Sequence, residues 1–89
     1  MKKTFTIDVM QEDIDHGEKR KCRKCPVALA VSRATGRESH VGHFVIVVAG
    51  TKADVHTPEI ARQFMMAFDQ DYFVRPFSFP LTLDLPEAA

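Results

Sequence analysis

Two cysteines and two histidines carry the most chemically suggestive spacing in this chain. Cys22 and Cys25 form C-x-x-C, and His40 and His43 form H-x-x-H, with fourteen residues between Cys25 and His40. Two thiolates and two imidazoles would complete a tetrahedral zinc site. The histidine half departs from the usual pattern, in which the rings sit roughly three to five residues apart on a helix. Here both fall near the start of an expected strand, where positions three apart face opposite sides. The competing reading is a half-buried cysteine pair beside surface histidines, and no metal or other cofactor is assigned. A redox role meets a similar objection. Thioredoxin-like centres place the first cysteine at a helix start, whereas here the second, Cys25, holds that position, followed by Pro26.

Around the cysteines lie Lys19, Arg20, Lys21, Arg23 and Lys24, five cations in six residues directly upstream of a helix start. Cations and free helix N–H groups both favour anions, and phosphate is the natural ligand. Residues 1–44 hold nine basic and six acidic side chains, net +3, while residues 45–89 hold three and six, net −3. The zero net charge of the whole chain therefore hides a polarity. The plainer reading is a solvated loop neutralised by Asp13, Asp15 and Glu18. Aromatic stacking on bases gains little support, because nearly all seven phenylalanines have core-like spacing and Tyr72 is the lone tyrosine.

Other constellations fall away. His16-Gly17-Glu18 before Cys22 and Cys25 has a superficial zinc-deaminase look, but only three residues separate the two halves and no proline precedes the first cysteine. Four glycines, at 17, 36, 42 and 50, build no Walker loop, G-x-G-x-x-G or G-x-S-x-G elbow. Asp13 and Asp15 lie on an acidic stretch that reads as solvated charge.

The elements that must position these groups are few, since 89 residues make one small domain, 1–89. Phe5, Ile7 and Val9 alternate with polar residues, which predicts a strand over 4–9 instead of a signal peptide. Residues 11–24 form a polar connection with room for one short helical turn. Pro26 and Gly36 delimit a helix over 26–35, with Val27, Ala30, Val31 and Ala34 on its buried face. Residues 41–49 are apolar on both parities, which predicts a strand covered on both faces, followed by a hairpin into 51–57. Thr57, Pro58 and Glu59 open a second helix over 58–69, with Ile60, Ala61, Phe64, Met65 and Phe68 as its stripe. Phe77, Phe79, Leu81, Leu83 and Leu85 alternate as a last strand, placed at an edge by Pro76 and Pro80. The longest apolar run, Phe44 to Ala49, is far short of a membrane span, so no membrane partner is expected.

The order β-α-β-β-α-β predicts an α+β fold with two helices on one face of a small, mostly antiparallel four-stranded sheet, the ferredoxin-like arrangement being the commonest such solution. In that arrangement the second strand is an edge with one bare face. Either the strand is central in a different strand order, or Val45 and Val47 form an exposed apolar patch that another chain covers, a homodimer partner or a second protein.

The segment Cys22-x-x-Cys25-Pro26-Val27-Ala28-Leu29-Ala30, preceded by an N-terminal D-V-x-x-x-D-I and followed by Phe68-Asp69 and Pro76-Phe77-Ser78-Phe79, resembles a group of small uncharacterised proteins of tailed bacteriophages, prophages and some actinobacteria. The resemblance implies a phage-type accessory protein and assigns no catalytic residues. His40 and His43 lie outside the shared pattern. The expectation is a non-enzymatic cytoplasmic protein that binds a host or phage protein, with phosphate-backbone binding through residues 19–24 as the alternative and a zinc- or thiol-dependent role of Cys22 and Cys25 as the third.

Overall fold

A computed structural model describes residues 1–86. Its elements are β1 (Lys2–Val9), α1 (Gln11–His16), α2 (Pro26–Thr35), β2 (Ser39–Val41), β3 (Val45–Val48), β4 (Val55–His56), α3 (Glu59–Asp69) and β5 (Phe77–Asp84). The fold is α+β, with three helices and two antiparallel sheets, β1-β5 and β2-β3-β4.

The two long strands form as their alternation dictates. Ile7, Val9, Phe79, Leu81 and Leu83 enter the core while Thr4, Thr6, Ser78, Pro80 and Thr82 face out. Their register pairs Lys2 with Asp84 and Val9 with Phe77. Met1 and Leu85 exchange reciprocal backbone bonds at 3.0 and 2.7 Å, so the antiparallel alternation makes Thr6–Pro80 a pair without ladder bonds. Pro80 therefore forfeits nothing inside the sheet. The thiol of Cys25 caps α2 by accepting the Ala28 N–H at 3.4 Å, Pro26 opens the helix, and Gly36 ends it in the left-handed region at φ 69°.

The expected four-stranded sheet divides in two because the 41–57 segment is shorter-stranded than its composition suggests. A turn closed by the Gly42 N–H on the Val45 carbonyl (2.9 Å) splits the expected strand 41–49 into β2 and β3. Most of 51–57 is spent on a turn held by Thr51 bonds to the Val48 carbonyl, leaving two residues in β4. Neither piece can run alongside β1. The β3–β4 connection instead meets β5 through the Lys52 N–H on the Asp84 carbonyl. Thr57, expected to cap α3, gives its hydroxyl to the Gly42 carbonyl at 2.7 Å, and Pro58 takes the cap position.

α2 packs against β1 on one side and β2 on the other, which buries Ala28 as well as Val27, Ala30 and Val31 and leaves Ala34 exposed, against the expected single stripe. α3 buries Ala61, Phe64, Met65 and Phe68 but leaves Ile60 outside. Phe64 meets Phe68 and Phe77, with centroids 6.2 and 4.7 Å apart, and Phe77 meets Phe79 at 5.7 Å. The tilted contact of Phe64 with Phe77 fastens α3 to β5.

Candidate functional site

The basic segment is a fastened loop. Glu18 N–H bonds the Lys24 carbonyl, and the N–H groups of Lys24 and Cys25 both bond the Lys21 carbonyl, at 2.8 to 3.0 Å. Arg20 sits in the left-handed region at φ 59° and gives its N–H to Asp69 at 3.0 Å. Gly17 starts the loop where the chain passes so close to Pro26 that a Cβ would lie 2.7 Å from its ring. The Cys22 carbonyl accepts the Val41 N–H at 2.8 Å, which ties the loop to β2.

That last contact brings Cys22 and His40 together, with Sγ 3.8 Å from Nδ1, while Arg23 Nε donates to His40 Nε2 at 2.8 Å. A ring accepting at Nε2 carries its neutral-form proton on Nδ1, so His40 donates toward the sulfur. It can steady a thiolate, yet it cannot take the thiol's proton in this arrangement. Cys25 turns the other way, into the core, 4.0 Å from Met65 Sδ. Burial pushes its thiol above the ordinary value of 9.0, although the N–H groups of Ala28 and Val27 oppose this. His43 lies 3.6 Å from Asp69 instead of joining His40. The four zinc candidates thus point to three places, and among the described residues no group of three or more His, Cys, Asp or Glu could hold a metal ion.

A cleft of about 180 Å³ opens between loop and helix, lined by Arg20, Lys21, Cys22, His43, Met65 and Asp69 among others. The cations are unequal. Lys19 pairs with Asp71 and Lys24 with Glu18, whereas among the described residues Arg20, Lys21 and Arg23 have no carboxylate at salt-bridge distance. Val45 and Val47 both lie on the outward face of β3, across from His56 and His40. Val45 is 41% exposed and Val47 half-buried, so the expectation of a wholly covered strand gives way to its alternative, an apolar outer face.

Three features escaped the sequence reading. Asp13, read as solvated, is only 3% exposed and accepts from both terminal nitrogens of Arg33 at 2.6 and 2.7 Å and from the Met10 N–H at 2.8 Å. Burial pushes its carboxyl up, but the Arg33 hydrogen bonds, the Met10 N–H and the Arg33 charge together hold it below its ordinary value. Phe44 is 75% exposed, and Tyr72 and Phe73 are 66% and 83% exposed on the segment after α3. The signal for the last two was their place between a helix end and Pro76, outside any periodic run. They border the same surface concavity as Lys19. No helix among the described residues is long and apolar enough to cross a membrane. Compared with family models, curated proteins and solved structures, the chain matches none.

Proposed function

We propose that the chain acts by adhesion and not turnover, binding a host or phage protein in the bacterial cytoplasm through the outward face of β3 and the turn before it. The observation that carries this reading is the run of Phe44, 75% exposed in the turn before β3, into Val45, 41% exposed on an outward strand face that continues to Val47. A large ring held in water next to branched aliphatics is the composition of an interface centre. The orientation of His40, which donates toward Cys22, supports the non-enzymatic part. The phage setting rests on the resemblance of the Cys22–Ala30 segment.

The test is capture from a bacterial lysate with and without nuclease. Retention of a defined protein, unaffected by nuclease and lost from Phe44→Glu and Val45→Glu chains that melt like wild type, is expected. Equal capture by both variants defeats the reading.

A second reading is favoured by Arg20, Lys21 and Arg23, which among the described residues have no carboxylate at salt-bridge distance, on the same loop as Lys19, whose concavity the exposed Tyr72 and Phe73 border; cations would contact phosphate and the rings would offer stacking platforms. Nuclease-sensitive capture, with oligonucleotide affinity falling steeply with salt and vanishing on charge reversal at those three positions, would move the function there.

A further inference from the structure

The bonding alternation of the β1-β5 sheet also decides what its outer edge offers. Met1–Leu85 is a reciprocally bonded pair, so Lys3, Phe5, Ile7 and Val9 spend their backbone groups on β5. The N–H and C=O groups of Lys2, Thr4, Thr6 and Asp8 therefore point away from β5, along the free edge. Two side observations agree. Arg33 donates to the Asp8 carbonyl at 2.8 Å, and on the far strand the outward Asp84 carbonyl accepts the Lys52 N–H. Among the described residues, no hydrogen bond reaches the outward backbone groups of Lys2, Thr4 or Thr6.

The other edges are obstructed. Pro80 and Lys52 interrupt the edge of β5, Cys22 occupies Val41 on β2, and β4 has two residues. We propose that β1 pairs antiparallel with β1 of a second copy of this chain, about a two-fold axis beside Phe5, to make a continuous four-stranded sheet. In this register Thr4 exchanges both backbone bonds with Thr6 of the second copy, and the outward groups of Lys2 face those of Asp8, whose carbonyl uses its second lone pair beside the Arg33 bond. It is also the antiparallel register that sets Lys2 directly across from Asp8, so opposite charges meet on the outer face. Shifting the axis to Lys3 would oppose that lysine to itself. On the core face the half-buried Phe5, whose ring lies 5.0 Å from the Lys3 ammonium, meets its own copy as a close cross-strand aromatic pair. This pairing is independent of the β3 face and leaves Phe44 and Val45 open.

Sedimentation equilibrium of the full chain, over a low-micromolar to millimolar series, tests it with two variants. Thr4→Pro removes an outward N–H at no cost in internal ladder bonds, as Pro80 does on β5. Thr4→Val keeps that N–H and loses only the hydroxyl that meets Thr82 at 2.8 Å. Wild type and Thr4→Val should be dimeric, and Thr4→Pro monomeric with an unchanged circular dichroism spectrum. Wild type that stays monomeric throughout the series, or Thr4→Pro that dimerises like wild type, overturns the proposal. Should Thr4→Pro fail to fold, Lys2→Asp decides: it places like charges across the axis twice and should raise the dissociation constant about tenfold. An unchanged constant in Lys2→Asp refutes the register. Dimer loss without effect on capture by the β3 face keeps the two surfaces separate.

Discussion

Replacing Arg33 by alanine should be the most damaging single change at a polar position, because it strands a carboxylate. Asp13 is 3% exposed and bonded at 2.6 and 2.7 Å by Arg33, which also holds the Asp8 carbonyl, so one guanidinium joins β1, α1 and α2. Breaking a fully buried ion pair from one side costs about 3–5 kcal/mol. Arg33 is itself 41% exposed, so water can enter where the guanidinium leaves, and a loss of about 2–3 kcal/mol is expected. For a domain of this size that is a fall in melting temperature of roughly 10–20 °C. The pH dependence has a definite sign. In the wild type the Asp13 carboxyl is held below its ordinary value, so its contribution is present above the unfolded value of about 3.9 and disappears as pH falls through the lower folded value. Without Arg33 the burial is unopposed by that charge and the folded value rises, so protonation relieves the variant. The stability gap should therefore be widest near neutrality and narrow toward about pH 4. Asp13→Asn added to Arg33→Ala should recover part of the loss, since the amide is neutral and still accepts from Met10. Urea denaturation across pH measures all of this. A loss below about 0.5 kcal/mol, the scale of an exposed pair, or a gap independent of pH, would refute the reasoning.

Two further outcomes follow from the loop that Asp13 helps to anchor. In Gly17→Ala the new Cβ would lie 2.6 Å from the Asp13 carbonyl and 2.7 Å from the Pro26 ring, an overpacking expected to cost about 1–3 kcal/mol in urea titrations; wild-type stability would mean that α1 and α2 do not approach as described. With an aromatic disulfide reagent at neutral pH, Cys22 should react at once and Cys25 only as the chain unfolds, so Cys22→Ser should delete the fast phase entirely. The raised Cys25 thiol adds a sign of its own: its contribution is present below the unfolded value near 9.0 and is lost as pH rises through the higher folded value.

What was legible in the sequence was what local rules decide. Helix α2 has the predicted limits because its capping atom, its opening proline and its left-handed glycine are all within the segment itself. Strands β1 and β5 have the predicted faces because period-two alternation sets burial without regard to neighbours. The stretch from 41 to 57 was misread for the converse reason. Valine-rich residues fit one long strand as well as a tight hairpin, and the choice fell to Gly42, whose N–H closes on Val45, and to Thr57, whose hydroxyl is drawn to Gly42 by the tertiary fold. Asp13 could not be distinguished from its acidic neighbours, since its partner Arg33 is twenty residues away and is brought there by packing of α1 on α2.

The cysteine pair shows why spacing alone misled about chemistry. Position 25 is the N-cap of α2, where a side chain must turn back toward the helix's first N–H groups, and α2 is buried there, so the sulfur is both capped and dry. Position 22 lies within the turn that reverses the chain through the Lys21 carbonyl, and its sulfur emerges beside His40. The same three-residue interval that would let two cysteines share a metal therefore separates a packing atom from a surface thiol. His40 and His43 divide likewise, one held by Arg23 and the other beside Asp69. Each of the four residues has a local structural partner that accounts for its orientation, whereas Phe44 and Val45 stay exposed and, among the described residues, no hydrogen bond reaches the outward backbone of Lys2, Thr4 or Thr6. Contact surfaces, in this fold, are what the packing leaves over.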